Sequence, residues 1–243
     1  MSPKTRAGAP PAKAAAPDAS YVGRGVHKVA VEALALRIFD GTYDEGDTLD
    51  LPQLMADLDV SQTVLREAIK VLTVKGLVDA RQKRGTFVRP RDDWNVLDSD
   101  VLRWQLRAGA PTDFFADLLE LRRSIEPAAA ALAADRRTDD DLAALDAALA
   151  AMAACDDDPV LAVRADASFH TALLTASGNQ FFAQMRRVII PALVERDRRV
   201  HSHPYEDPLP VHAAVAERVR AGDAEGAYHA MLELLDMAMR DHP

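Results

Sequence analysis

Residues 60–90, VSQTVLREAIKVLTVKGLVDARQKRGTFVRP, change their hydrophobic period midway, and that change limits what the chain can fold into. Ser61 is suited to cap a helix, because its hydroxyl accepts a hydrogen bond from a backbone N–H two or three residues on. Val64, Leu65, Ala68, Ile69 and Leu72 then recur at helical spacing and define one apolar face. Gln62, Arg66 and Lys70 stand four apart on the other side, with Thr63 beside them. Gly76 supplies the left-handed residue on which many helices end. Beyond it, Leu77-Val78 and Phe87-Val88 read as short strands around Gln82-Lys83-Arg84-Gly85, a turn whose glycine can take positive φ.

A helix that buries one face and offers Gln, Arg and Lys on the other, followed by a basic-tipped hairpin, fits a winged helix-turn-helix. Ser61, Gln62, Thr63, Arg66 and Lys70 would meet the major groove, and Lys83, Arg84 and Gly85 at the wing tip an adjoining backbone or groove. Residues 61–91 carry eight Lys/Arg against two acids, a balance of +6 that suits phosphates. The plainer reading is an amphipathic helix with a solvated charged face and an unrelated hairpin, and the window alone leaves both open.

The whole chain carries a formal charge of −9, which taken alone argues against a nucleic-acid binder. The charge is unevenly spread. Residues 1–91 hold 14 basic and 11 acidic side chains, whereas 92–243 hold 15 and 27, so a basic module is joined to an acidic one. Its 243 residues suffice for two modest domains. The single cysteine, Cys155, has no internal partner, which fits a reducing cytoplasm. No apolar run reaches about 18 residues, so no membrane span is expected. Residues 1–22 read as a disordered tail, rich in Pro, Ala and Lys and lacking the apolar core of a signal peptide.

Upstream of the window, residues 27–40 form a helix ended by Gly41, GTYDEGDTL a polar turn, and Asp50 the cap of a short second helix. Three helices and a wing make a foldable DNA-binding module over 23–91. Here IFDGTYDEGDTLD followed by LREAIKVLTVKGLVDARQKRGTFV resembles the N-terminal domain of the GntR family of bacterial repressors. The resemblance implies a DNA-contacting role for Arg66 and matches Gly85 at the wing; Gln62 stands where the family usually carries arginine. Residues 92–108 read as a linker and connecting helix whose Trp94 and Trp104 pack the two domains together or cover the interface. Its segment RPRDDWNVLDSDVLRWQLR is similar to that of GntR members regulating sugar-acid catabolism, the D-galactonate type among them.

From 109 to 243 the chain is rich in Ala and Leu and helical nearly throughout, with candidate helices at 112–135, 139–155, 158–176, 179–200, 209–221 and 223–240. An antiparallel helical bundle follows, so the fold class is mainly α: a winged helix-turn-helix plus an all-α bundle. Asp166 and His170 share a helix face at i, i+4, a spacing at which carboxylate and imidazole reach one ion, and His212 could add a third ligand. A surface or hydrogen-bonded pair is the plainer account of such spacing. Arg122 lies in the apolar stripe Phe115, Leu118, Ile125, Ala129, Leu132 and needs a partner if buried. Glu126, four residues on, is one candidate, and the carboxylate of a small effector another.

LRRSIEPAAAALAA, ADASFHTALLTASGN and VHAAVAERVRAGDAEGA are similar, in order, to the helical effector domain (FCD) of FadR-type GntR proteins. That resemblance implies a divalent ion, Zn²⁺ or similar, held by one Asp and three His, of which Asp166, His170 and His212 are three. The fourth falls at Leu234; His229 lies about 140° around the same helix, and His201 and His203 sit in an expected loop. It also implies that Arg122 faces the effector cavity; Asn179, in the SGN turn, either adds a polar contact or simply marks a helix boundary.

These readings lead to a cytoplasmic, ligand-responsive repressor. It would bind operator DNA as a homodimer and release it on meeting a small carboxylate such as a sugar acid. A metal-dependent hydrolase using Asp166, His170 and His212 is the alternative, but the chain offers no nucleophile elbow, phosphate loop or HExxH motif. A purely architectural DNA-binding protein would leave the acidic half unexplained.

Overall fold

Helix α1 (Val26–Phe39) and helix α3 (Gln62–Val74) form the heart of the N-terminal half, burying Ala30, Val31, Leu34, Ala35 and Ile38 against Leu65, Ala68, Ile69 and Leu72. The computed structural model describes residues 25–155, 158–200 and 207–240. The expected tail at 1–22 and the loop histidines His201 and His203 fall outside the described residues. Asp50 caps α2 (Leu51–Leu58) through a bond from the Gln53 N–H, and Asp59 takes a left-handed conformation to turn the chain toward α3. Ser61 then caps α3, its hydroxyl oxygen accepting from the Val64 N–H at 3.3 Å. Strands β1 (Val78–Arg81) and β2 (Gly85–Val88) pair antiparallel, Val78 opposite Val88 and Arg81 opposite Gly85.

The polar turn expected over GTYDEGDTL contributes more than a turn. Residues 46–49 run along the outer edge of β2: Gly46 N–H bonds the Val88 carbonyl, Val88 N–H the Asp47 carbonyl, and Leu49 N–H the Thr86 carbonyl. This protects an edge that would otherwise be exposed.

The two tryptophans correct the reading of the connecting segment. Trp94 packs edge-on against Phe39, and Trp104, fully buried on α4 (Ser99–Gly109), joins the same core as α1 and α3. They belong to the N-terminal core, because residues 93–98 lie directly under the end of α3. At Gly76, with φ +80°, a Cβ would stand 2.4 Å from the Asp93 carbonyl oxygen. Gly76→Ala is therefore expected to destabilise this half by more than about 2 kcal/mol, through both left-handed strain and backbone overlap. Both tryptophans report from this half, so urea unfolding followed by their fluorescence measures it. A loss below about 0.5 kcal/mol would mean that the backbones can part without penalty.

Helices α5 (Thr112–Arg136), α6 (Asp139–Ala153), α7 (Pro159–Ala176), α8 (Gln180–Val200), α9 (Leu209–Ala221) and α10 (Ala224–Arg240) form the second half. Asp158 caps α7, Thr138 and Asp141 form a capping box on α6, and Gly222 ends α9 at φ +72°. Helix α7 packs against α5, α6 and α8, while α9 and α10 lie against α5. The core is rich in alanine, with Ala130, Ala133, Ala134, Ala148 and Ala216 letting helices approach Phe169, Leu173 and Met231. Helices α5 and α9 thereby meet over one face of α7. No helix among the described residues is long and apolar enough to cross a membrane.

Candidate functional site

Helix α3 presents Gln62, Thr63, Arg66 and Lys70 to solvent while its opposite face is buried. Lys70 is held at 2.7 Å by Glu67 on the same exposed surface, a contact that a phosphate can replace at little cost. Ser61 is engaged as the cap, so its part in any interface begins with fixing the start of the helix. At the wing tip Lys83 (φ +71°) and Gly85 (φ +80°) make the tight reversal. Arg84 bonds the Gly46 carbonyl and lies 3.7 Å over the Phe87 ring, which fixes its guanidinium beside the wing. An exposed helix and a cationic hairpin sit side by side, as groove reading requires.

The second cluster is buried. Arg122 and Glu126 come from successive turns of α5, Asp166 and His170 from successive turns of α7, and His212 from the first turn of α9. Arg122, Glu126, His170 and His212 are each at most 2% exposed, and Asp166 is partly open. The Glu126 carboxylate accepts from Arg122 Nε at 2.7 Å and Nη2 at 3.3 Å, and its Oε2 lies 2.7 Å from His170 Nδ1. Arg122 Nη2 also approaches His170 Nε2 at 3.1 Å. Asp166 Oδ1 stands 3.6 Å from His170 Nε2 and 3.0 Å from His212 Nε2. Phe169 packs its ring edge-on to His212 at 4.8 Å and closes one side.

Electrostatics follow from this crowding. Burial works to raise the Glu126 pKa, but Arg122 and His170 overcome it and hold the carboxylate at about 2. Burial likewise opposes a charged His170, yet Glu126 and Asp166 outweigh both burial and Arg122 and pull its pKa up to about 9. Asp166 is held well below the usual carboxylate range, against burial, by His170 and His212.

The donor set fits a divalent ion. One atom from each of Asp166, His170 and His212 lies within 4.8 Å of the others. Asp166 Oδ2 and His212 Nε2 are shut away from solvent with no hydrogen-bond partner. His212 Nδ1 lies 2.7 Å from the Pro208 carbonyl oxygen. That oxygen only accepts, so Nδ1 carries a proton, and in the neutral ring it is the Nε2 lone pair that faces the Asp166 carboxylate. In that form two acceptors face each other across 3.0 Å, an arrangement that either a proton on Nε2 or a bound cation relieves. Two imidazoles and one carboxylate suit Zn²⁺, which would displace the His170 proton on binding, and leave positions for a ligand.

Leu234 lies in the apolar core with Met231 and Leu235, and His229 is exposed against Tyr228, so neither joins the three. Asn179 caps α8: its side-chain oxygen accepts from the Phe181 N–H, which is the helix-boundary role. Glu126 was legible only as a partner for Arg122. Its second contact, to His170, depends on how α5 meets α7, which no local spacing states.

Residues 27–88 match the family "bacterial regulatory proteins, gntR family" and residues 117–237 the FCD domain. The chain is 31% identical over 214 residues to the galactonate operon transcriptional repressor of Escherichia coli (strain K12), covering 86% of this chain and 93% of that protein. It is 35% identical over 188 residues to a protein of the same strain described as an L-lactate dehydrogenase operon regulator, covering 74% and 71%. Among solved structures, that of Lar, which controls expression of the agr system of Listeria monocytogenes, aligns over 90% of this chain and 98% of that one, with TM-score 0.58 and 19% identity; the likeness is one of fold.

Proposed function

Because the chain belongs to the GntR family of DNA-binding transcriptional regulators, with an FCD domain as its second half, we propose that it represses an operon for hydroxy-acid catabolism and releases operator DNA on binding the acid. The family is one of regulators, not enzymes, so the buried triad is read as a sensor and not as a hydrolytic centre.

The observation that carries the reading is the convergence of Asp166, His170 and His212, with Arg122 alongside, inside the helical half. A divalent ion such as Zn²⁺, held by these three side chains, would supply a Lewis acid for the carboxylate and hydroxyl oxygens of a ligand. Arg122 contributes a fixed positive charge at the same place, and its planar guanidinium suits a carboxylate. Phe169 and the surrounding aliphatic core keep bulk water away from these charges and strengthen them. Galactonate and lactate, the acids in the names of two relatives, share a carboxylate beside a hydroxyl, and we assign the ligand to that chemical class.

On the DNA side, two copies in the cytoplasm would bind a two-fold operator, each α3 in a major groove. Ligand binding lowers operator affinity if it favours an arrangement whose wings no longer match the half-site spacing. The experiment is a fluorescence-anisotropy titration of full-length protein on a duplex selected from a random pool, with and without Zn²⁺ and D-galactonate or L-lactate. Weakened binding supports repression relieved by ligand; tightening reverses its sign; no change with either acid removes the assigned class. In the same assay Arg66→Ala is expected to cost about 1–3 kcal/mol and to relax sequence preference. An unaltered Kd would take Arg66 off the reading surface.

A further inference from the structure

We propose that Lys75 is a positioning residue: clasped by Asp98 and Asp100, it fastens α4 to the end of the recognition helix. On this view α4 travels with the DNA-binding head, and the joint between the halves lies at Gly109–Pro111. The inference rests on the regulator reading for its functional meaning, though not for its geometry.

Lys75 follows the last turn of α3, and its Nζ lies 2.7 Å from Asp98 and 2.8 Å from Asp100. All three side chains are substantially withdrawn from water, Asp100 being only 4% exposed. Asp98 also caps α4, accepting from the N–H groups of Asp100 and Val101. The chain of charges continues: Asp100 holds Arg103 at 3.0 Å, and Arg103 and Arg107 grip Glu32 of α1 at 2.7 and 2.6 Å. Three cations and three anions thus tie α4 to both α1 and α3. The backbone adds to this, since the Asn95 N–H bonds the Lys75 carbonyl at 3.1 Å. Val101 and Trp104 sink into the head's core from the same helix.

The other side of α4 meets the helical half. Among the described residues, the substantial contact between the head with its connecting helix and the bundle is that of α4 with α8, and α8 packs on α5 and α7, the helices carrying Arg122, Glu126, Asp166 and His170. A change at the sensor that displaces α8 therefore reaches α4, and through the clasp the recognition helix. At the last residue of α4, Gly109 takes φ +94°, with no heavy atom within 4 Å of where its Cβ would stand. Rotation there meets little steric resistance.

Full-length wild type, Lys75→Met, Lys75→Arg and Asp100→Asn are compared by two measurements. The first is Kd for a duplex selected by the wild type and for an unrelated duplex, each across a range of salt. The second is amide hydrogen exchange along α4. Lys75→Met and Asp100→Asn should weaken the selected duplex about tenfold, leave the unrelated duplex and the salt slope unchanged, and speed exchange in α4. Lys75→Arg should restore both. In the wild type, the selected duplex should slow exchange in α4 together with α3 but not in α6. Equal weakening on both duplexes with a shallower salt slope would make Lys75 a phosphate contact and overturn the proposal. Unchanged exchange in α4 would overturn it as well. If no duplex can be selected, the regulator reading fails, and hydrogen exchange still judges the clasp.

Discussion

Saturating Zn²⁺ should raise the melting temperature of the full-length chain by roughly 5–15 °C over its chelated form, and His212→Ala should abolish the rise. The size follows from linkage: an ion at about 100 to 1,000 times its Kd adds about 2.7–4.1 kcal/mol, and for a chain of this length each kcal/mol moves the midpoint by about 2–4 °C. The choice of His212 follows from its geometry. The Pro208 carbonyl at 2.7 Å fixes the tautomer, and Nε2 then faces Asp166 Oδ1 at 3.0 Å with no hydrogen bond between them. Removing this ring takes away a ligand while leaving the Arg122–Glu126–His170 contacts in place. Each variant is compared with its own chelated baseline, because the mutation also removes packing against Phe169. A full Zn²⁺ shift in His212→Ala would place the ion elsewhere and sink the triad as its site. No shift in the wild type would remove the metal from the proposed sensing chemistry while leaving the DNA-binding half untouched.

The Asp166–His170 pair was readable for a simple reason: the two are one turn apart, and a helix turns that spacing into a shared face, whereas His212, on α9, was tied to them through the family resemblance. The recognition helix was equally open, since its cap, its apolar stripe and its Gly76 stop are all local signals. What sequence did not convey is which face meets which neighbour. Trp94 and Trp104 read as interdomain filler because their large apolar rings demand burial without saying in which core. The pairing of residues 46–49 with β2 joins segments some forty residues apart, and no periodicity in a polar stretch announces it. The contact between Glu126 and His170 has the same origin. Each lies on a legible helix, but the approach of α5 to α7 is decided by small alanines in the core and not by either residue. Asn179 shows the converse, where a turn motif with two readings turned out to be engaged in capping α8.

Glu126→Ala should destabilise the chain by about 3–5 kcal/mol, whereas Arg122→Met/Glu126→Gln together should cost far less and yet abolish the response to hydroxy acid. The single change takes from the Arg122 guanidinium, 2% exposed, the carboxylate paired with it, and breaking a buried ion pair by removing one partner carries a penalty of that size. It also strips His170 Nδ1 of its 2.7 Å neighbour. The double change removes both charges, keeps similar volumes and retains an amide oxygen to face the His170 ring, which is the condition under which a buried ion pair is dispensable for stability. This separates two roles that Arg122→Ala would confuse, since that variant loses a ligand contact and destabilises the core at once. Chemical denaturation gives the stabilities; operator anisotropy with Zn²⁺ and D-galactonate or L-lactate gives the response. A double variant as unstable as Glu126→Ala would show that shape, not charge balance, is what the pair provides. If that variant folded and still released DNA normally, Arg122 would not be the cation that the ligand's carboxylate meets.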